Sequence, residues 1–409
     1  VATANVVIYC GATPVFVDVD PITYNMDMAH LAGAITPCTK AVIPVHLFGL
    51  CADMPALRDV VPDGVVIIED AACAAGATLD GQPAGGLGTM ACFSFHPRKS
   101  ITTGEGGMLT TDDSDLAEAA NRLRNHGASV SEEVRHHGPK PYLLPDFDVL
   151  GFNYRMSDLQ GALGLVQLGK LDRFIAERDK WARWYCDALA DIAWLQMPVI
   201  PAGYGHAWQS FVTVVDEASA PALRNDIMET LQEAGISTRP GTHAVTELGY
   251  YKDRLGLQSG QFKVGSRLER QTLALPLHNR MSAEDYTYVS ETLHGIQCRM
   301  CGVAGIFNLD GAPVSPVVLG RMTDMLTHRG PDDRGTHVDG TLGLGHRRLS
   351  IIDLTTAGHQ PISTPDGRFV LSYNGEVYNF AELRTELESA GFCFRSRTDS
   401  EVVLYAFAH

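Results

Sequence analysis

Phe93-Ser94-Phe95-His96-Pro97-Arg98-Lys99, with Thr103-Gly104-Glu105-Gly106-Gly107 close behind, is the stretch that decides the fold. An apolar strand runs into a lysine, and the lysine runs into a glycine-rich turn. Upstream, Ile67-Ile68-Glu69-Asp70 reads as a buried strand that ends on carboxylates. A lysine amine set between strand and turn, downstream of a strand-end carboxylate, points to a covalent bond with pyridoxal phosphate. That cofactor supplies an electron sink, and the short segment a grip on its phosphate. Taken alone, Lys99 reads as a surface lysine at a strand end, and Asp70 as an N-cap for the Ala71-Ala72 segment.

Outward from this stretch, short apolar strands alternate with helices, the pattern of a largely parallel sheet covered on both faces. The expected strands are residues 14–19, 41–46, 65–69, 90–95 and 107–110. Residues 1–9 read as a helix already under way, and 115–125 as a short one. Ser157 caps a much longer helix, with Asp158 in its first turn and Leu159, Leu163, Val166 and Leu171 at helical spacing. A smaller α/β unit follows, with strand 210–215, helix 220–234, strand 271–277 and helix 282–293. A last helical pattern opens at Thr398-Asp399-Ser400-Glu401.

Composition closes off several functions. A chain of 409 residues exceeds the usual single core, so two or three folding units are expected. A net charge of −16 disfavours nucleic acid or an acidic membrane as partner. No apolar run reaches the roughly 20 residues needed to span a bilayer, and no signal peptide is present, so the cytoplasm is expected. Cysteines in apolar stretches, such as Tyr9-Cys10 and Ala91-Cys92-Phe93, read as reduced core thiols. The one CxxC, Cys298 to Cys301, lacks a second ligand pair nearby, and no metal is expected there.

Six ordered motifs support a family resemblance: Gly11-Ala12-Thr13-Pro14-Val15-Phe16-Val17-Asp18, Pro44-Val45-His46-Leu47-Phe48-Gly49, Glu69-Asp70-Ala71-Ala72, the Lys99 segment, Leu123-Arg124-Asn125-His126-Gly127, and Gly151-Phe152-Asn153-Tyr154-Arg155-Met156. On these, residues 1–297 resemble the DegT/DnrJ/StrS family of pyridoxal-phosphate-dependent nucleotide-sugar aminotransferases. The resemblance implies an α/β fold-type-I aminotransferase. Its large domain, with a mixed and mostly parallel sheet, would cover 1–190, and a small C-terminal α/β domain 191–299. Lys99 would bond the cofactor and then shuttle a proton to and from the substrate carbon. Asp70 would keep the pyridine ring protonated, Ser94 would bind the phosphate, and Asn153 would reach the same phosphate across a homodimer interface. Lysine at 99, where some relatives carry histidine, favours amino transfer over dehydration. The acceptor would be a nucleotide-linked keto-sugar, the donor an amino acid, glutamate by expectation, and the setting surface-polysaccharide or amino-sugar synthesis. Cys73 stands where many relatives carry His or Gln, and no role passes to it. His243 lies where relatives place substrate-proximal residues, and reads equally well as an exposed loop histidine.

A second resemblance begins at Met300-Cys301-Gly302-Val303-Ala304-Gly305-Ile306. It continues through His328-Arg329-Gly330-Pro331-Asp332-Asp333, Gly345-His346-Arg347-Arg348-Leu349-Ser350, Tyr373-Asn374-Gly375-Glu376 and Thr398-Asp399-Ser400-Glu401. Residues 300–409 resemble the start of the glutaminase domain of asparagine-synthetase-like class II amidotransferases, an α/β/β/α N-terminal-nucleophile fold of which this is a part. The resemblance makes Cys301 the nucleophile on glutamine and its own α-amine the base. Asn374 and the Gly375 amide would form the oxyanion hole, Arg348 would take the substrate carboxylate, and Glu376 and Asp399 its ammonium end.

Two features set the resemblances apart from a working whole. Relatives of the first part begin well before Val1, with a Gly-Thr turn for the phosphate and an aromatic that stacks on the ring; by that comparison this polypeptide binds the cofactor poorly or not at all. In the second part, Met300 holds the Cys301 nitrogen as an amide, which cannot act as a base. The junction has no Gly/Ser/Pro linker, which favours two neighbouring reading frames joined end to end over a bifunctional enzyme. The principal reading is a sugar aminotransferase with an appended partial glutamine-hydrolysing domain. A glutamine amidotransferase with the first part as its joined neighbour, and a catalytically dead scaffold, stay open beside it.

Overall fold

Alternating apolar runs and aspartate or serine caps set the elements. The computed structural model describes residues 1–409 except 131, 143, 297–300, 328, 351–352, 354 and 376. Expectations that fall on Cys298, Met300, His328 and Glu376 therefore lie outside the described residues. The chain divides into two units, Val1–Gly295 and Ile296–His409.

The first unit opens with α1 (Ala2–Tyr9) and builds a four-stranded sheet in the order β1 (Ala41–Val42), β2 (Val66–Asp70), β3 (Met90–Ser94), β4 (Gly107–Thr110). β1, β2 and β3 run parallel, with Asp70 opposite Cys92, and β4 returns antiparallel with Gly107 opposite Ser94. The sheet is thus mixed and mostly parallel. Small side chains let its cover approach closely: Ala71, Ala74, Ala77 and Ala91 are fully buried beside Met54. Gly88 sits so close to the sheet that a Cβ there would meet the Ile67 carbonyl at 2.9 Å.

Three expectations need correction here. Residues 14–19 form no strand; Val19 makes only an isolated bridge to Met26. Pro14 has no N–H for a ladder, and the buried Asp18 carboxylate instead accepts the N–H groups of Val264 and Gly265 at 3.0 and 2.8 Å, at the start of the helix Lys263–Gln271. The strand expected over 41–46 shrinks to two residues plus a bridge between Val45 and Asp70. The long helix after Ser157 is two helices, α2 (Asp158–Leu168) and α3 (Leu171–Ala188). Ser157 does cap the first, in a capping box with Gln160, but Gly169 and Lys170 end it. Its periodic apolar side chains are exposed rather than buried: Leu159 is 86% and Val166 56% accessible.

A second sheet in this unit has the order β7 (Arg239–Pro240), β8 (Thr272–Leu275), β6 (Phe211–Val215), β5 (Leu195–Gln196), all antiparallel. All five β6 residues are buried. The helix expected at 220–234 is shorter, Arg224–Glu233, and α4 (Ala283–His294) starts at a Ser282 capping box as the sequence suggests. Among the described residues no helix is long and apolar enough to cross a membrane.

The second unit pairs β9 (Gly302–Phe307), β11 (Leu342–Arg348) and β10 (Asp333–Asp339) antiparallel, with β11 central. α5 (Pro316–Asp324) lies on this sheet through Leu319 and Thr323, where Gly343 and Gly345 leave room; a Cβ on Gly345 would meet Thr323 Oγ1 at 2.0 Å. A hairpin of β12 (Ile362–Ser363) and β13 (Val370–Leu371) packs with α6 (Phe380–Ser389) and α7 (Asp399–Ala408) around Leu387, Val402, Leu404 and Tyr405. Not all cysteines are core thiols. Cys51 is buried, but Cys10 and Cys92 are exposed, because the apolar stretches that carry them face outward at those positions.

Candidate active site

Asp70 ends β2 and Ser94 ends β3, so parallel neighbours deliver a carboxylate and a hydroxyl to the same edge of the sheet. Such C-terminal edges are where open α/β sheets bind ligands. Beyond Ser94 the chain makes a tight loop before returning as β4. Phe95 N–H donates to Gly106 O (2.9 Å), Thr103 N–H to Phe95 O (3.0 Å) and Lys99 N–H to His96 O (2.9 Å). The glycines serve this reversal: Gly104 and Gly106 have φ of +84° and +150°, which L side chains rarely adopt. Gly164 of α2 gives the loop room on its other side, where a Cβ would come within 2.9 Å of Thr103.

The loop aims the Lys99 ammonium back toward β2. Its Nζ donates to Cys73 Sγ at 3.1 Å, three residues past Asp70. Asp70 Oδ1 accepts the Ala72 N–H (3.1 Å), so the carboxylate caps a turn rather than a helix, and Oδ2 accepts the Thr3 hydroxyl of α1 (2.6 Å). Ser94 Oγ accepts the His96 N–H at 3.3 Å. An amine, a carboxylate with lone pairs beyond its two partners, and a hydroxyl whose proton is not spent on that bond form a donor set that fits pyridoxal 5'-phosphate. The amine suits its aldehyde, the carboxylate its ring nitrogen and the hydroxyl its phosphate.

Beneath the edge lies a polar pair the sequence motifs contained without a role. Glu69, on the opposite face of β2 from Asp70, is fully buried and accepts N–H groups from Gly85 (2.8 Å), Leu87 (2.7 Å) and Gly88 (2.6 Å). His46 Nε2 lies 2.8 Å from Glu69, and His46 Nδ1 accepts the Ala52 N–H (3.0 Å), so the ring proton sits on Nε2 and points at the carboxylate. Burial pushes the Glu69 carboxyl up, but the hydrogen bonds from His46, Gly85 and Gly88 outweigh it and hold the group below its usual range. The pair fixes Asp70 through the backbone: His46 N–H donates to Asp70 O (3.0 Å) and Asp70 N–H to Pro44 O (2.9 Å).

Long-range contacts complete the support, and no local sequence signal marks them. Gln209 Nε2 donates to Arg98 O (3.0 Å), next to Lys99, and Arg178 Nη1 donates to Trp208 O (2.8 Å). Asn153 is exposed, in a bridge with Asn125. Phe152 stacks on Tyr154 beside it at 4.9 Å, and both rings are exposed. His243 lies 3.4 Å from Glu269, exposed.

In the second unit two groups of expected residues form. Cys301 Sγ accepts the Leu349 N–H at 3.3 Å, beside Arg348. The buried Arg348 guanidinium donates to the carbonyls of Thr355 (3.0 Å) and Asp353. Asp399, buried at the start of α7, accepts the Val377 N–H (3.0 Å), which draws the Asn374-Gly375 loop to that helix end. Asp353 joins the groups, since its Oδ2 accepts the Arg397 N–H (2.9 Å). Hydrogen bonds from Thr355 and Arg397 hold the Asp353 carboxyl at about 2. Asn374 is exposed, and Glu376 lies outside the described residues.

Residues 1–294 match the DegT/DnrJ/EryC1/StrS aminotransferase family. The chain belongs to that family. Residues 300–409 match a glutamine amidotransferase domain. GDP-perosamine synthase of Caulobacter vibrioides is 37% identical over 295 residues, covering 72% of this chain and 76% of that protein. The spore coat polysaccharide biosynthesis protein SpsC of Bacillus subtilis is 37% identical over 297 residues, with the same coverage. Spr1654 of Streptococcus pneumoniae, solved in a PLP form, superimposes with a TM-score of 0.65 at 28% identity, over 71% of this chain and 76% of that one. A DegT/DnrJ/EryC1/StrS aminotransferase of Brucella abortus gives 0.61 at 31% identity, over 72% of this chain and 76% of that one. The first unit therefore has the mixed α/β fold of fold-type-I sugar aminotransferases, and the chain is a family enzyme with an added amidotransferase domain, as the two sets of motifs imply.

Proposed function

We propose that the first part transfers an amino group from an amino acid, glutamate in this reading, to a nucleotide-linked keto-sugar. The observation that supports it is the arrival of the Lys99 amine, through Cys73, at the strand edge where Asp70 and Ser94 end. The named acceptors of relatives add to this: GDP-perosamine synthase, and a UDP-N-acetyl-3-dehydro-alpha-D-glucosamine 3-aminotransferase of Acidithiobacillus ferrooxidans at 35% identity. The division of labour proposed is a cofactor-binding large domain over 1–190, a small domain over 191–299 and a partial glutaminase domain over 300–409. Exposed free thiols such as Cys10 and Cys38 suit a reducing compartment, and the reading places the reaction in the cytoplasm.

When bound, pyridoxal 5'-phosphate supplies an aldehyde for amines and an electron-poor ring that spreads negative charge from a substrate carbon. Lys99 would hold it by Nζ and, once that nitrogen is free, would carry a proton to and from the substrate carbon on it. Asp70 keeps a proton on the ring nitrogen, and Thr3 and Ala72 keep the carboxylate aimed. Ser94 donates to the phosphate. Asn153 would belong to the same phosphate site of a second copy, which suits its exposed position between the exposed rings of Phe152 and Tyr154.

In the second part Cys301 attacks the glutamine amide, with Asn374 and the Gly375 N–H on the developing oxyanion. Arg348, Glu376 and Asp399 hold the substrate ends. This step requires a free Cys301 amine, so it follows release of the chain before Cys301. Amino transfer draws nitrogen from an amino acid and needs no ammonia from that site. Reduction of the intact parent protein with borohydride after incubation with pyridoxal 5'-phosphate tests the principal reading, with a pyridoxyl group on Lys99 expected and a label on another residue counting against it.

A further inference from the structure

We propose that Cys73 and Lys99 form an oxidation-sensitive pair, in which a hydroperoxide converts the thiol into a covalent mask on the cofactor-bonding amine. The inference rests on the reading of Lys99 given above. Its own basis is geometric. Lys99 Nζ and Cys73 Sγ are in direct contact at 3.1 Å, with no atom between them. Both side chains are half-buried, so a small oxidant reaches the sulfur while bulky thiols do not reach it freely. Both are also held in place. Cys73 rides on the turn closed by Ala74 N–H to Ala71 O (2.9 Å), between two fully buried alanines. Lys99 rides on the loop closed by its own N–H to His96 O and clamped by Gln209 on Arg98 O. Among the described residues no other thiol is hydrogen-bonded to a lysine amine.

The chemistry balances with one molecule of hydrogen peroxide. The thiol sulfur gives an electron pair to one peroxide oxygen, the O–O bond breaks, and the second oxygen leaves as water with the thiol proton. Sulfur is now a sulfenic acid, oxidised by two electrons, and the peroxide is reduced. The neutral Lys99 amine attacks this sulfur; an S–N bond forms, the S–O bond breaks, and the hydroxyl leaves as a second water with an amine proton. The sum is thiol, amine and peroxide giving a sulfenamide and two waters. The sulfenamide nitrogen no longer condenses with an aldehyde. A small thiol reductant attacks the sulfur and returns the amine. The pair thus protects a half-buried sulfur from irreversible oxidation and closes the cofactor site under peroxide stress.

The test uses the full chain, stripped of cofactor, treated with one equivalent of hydrogen peroxide and digested without reductant. Mass spectrometry is expected to find the Cys73 and Lys99 peptides joined and lighter by two hydrogens than their sum, with the link reversed by dithiothreitol. Cys73→Ser and Lys99→Arg abolish the link, whereas Cys92→Ser keeps it. Cys73 found as a free sulfenic or sulfinic acid beside an unmodified Lys99 overturns the proposal. So does a link that survives Cys73→Ser. Because the map is read without cofactor, failure of pyridoxal 5'-phosphate to label Lys99 in untreated protein strikes the functional reading alone.

Discussion

Lys99 and Glu69 show two ways in which one residue serves the site. The Lys99 amine donates to a sulfur, and its value lies in its reactivity. Lys99→Arg keeps the charge and most of the contacts, so folding is expected to stay as it is, while amino transfer falls by about 10²–10⁴-fold through loss of the proton carrier; steady-state rates and thermal melts of the same sample check both. Glu69 is the converse, a buried anion with four donors and no reach to a ligand. Glu69→Gln turns one acceptor oxygen into a donor facing N–H groups, and is expected to cost about 1–3 kcal/mol in denaturant unfolding. The pH dependence follows from the depressed carboxyl. The folded chain takes up this proton later than the unfolded chain. The stabilisation is therefore whole above the usual carboxyl value of 4.5 and drains away as pH falls through the lower folded value. The sequence named Asp70 and Lys99 because they follow apolar runs, and Ser94 through the family resemblance. It did not name Thr3, whose hydroxyl reaches Asp70 across 67 residues, because no local pattern encodes such a contact.

At the scale of elements, β2, β3 and β4 were legible because each is a short apolar run with a glycine or polar stop. Residues 14–19 misled for a physical reason: alternation describes a strand's faces, but a strand also needs a neighbour, and Asp18 is instead spent on the helix at 263. The 206–210 segment was illegible for another reason, since its meaning lies in what it touches. His206 stacks on Trp208 at 3.9 Å and accepts its N–H at 2.8 Å. Trp208 Nε1 donates to Asp179 of α3 (2.9 Å), and Gln209 reaches the Lys99 loop. Burial pushes the His206 imidazole down to about 3, against a smaller upward pull from Asp179. Between 6.5 and 3 the unfolded chain binds this proton and the folded chain does not, so stability is expected to fall as pH drops below 6.5. His206→Phe keeps the stack but loses the acceptor. It is expected to lower stability at neutral pH by about 1–3 kcal/mol and to flatten the acid slope, as urea unfolding at several pH values reads out.

For the whole molecule, the exposed apolar face of α2 and the rings around Asn153 are the counterpart of its short cores. In the proposed dimer, the exposed Leu159, Leu163, Leu165, Val166 and Leu168 would leave water against a second copy. A Leu159→Glu, Leu165→Glu double variant is expected to sediment as a monomer and to lose cofactor with it, since Asn153 then has no partner site. The second unit makes a separate demand. Glutaminase activity is expected only from a chain cut before Cys301, and a Cys301→Ser variant of the cut chain is expected to lose it; uncut protein that hydrolyses glutamine at the same rate would contradict the α-amine as base. The two-unit division was legible from the abrupt change of motif near residue 300, whereas the Asp353 link between Arg348 and Arg397 emerged only from the fold.

The most direct measurement is peptide mapping of the intact parent protein after incubation with pyridoxal 5'-phosphate and reduction with borohydride. The lysine that follows Pro97-Arg98 is predicted to carry the pyridoxyl group, and the label is predicted to vanish in Lys99→Arg. A pyridoxyl group on any other residue, or equal labelling of that variant, would contradict the assignment.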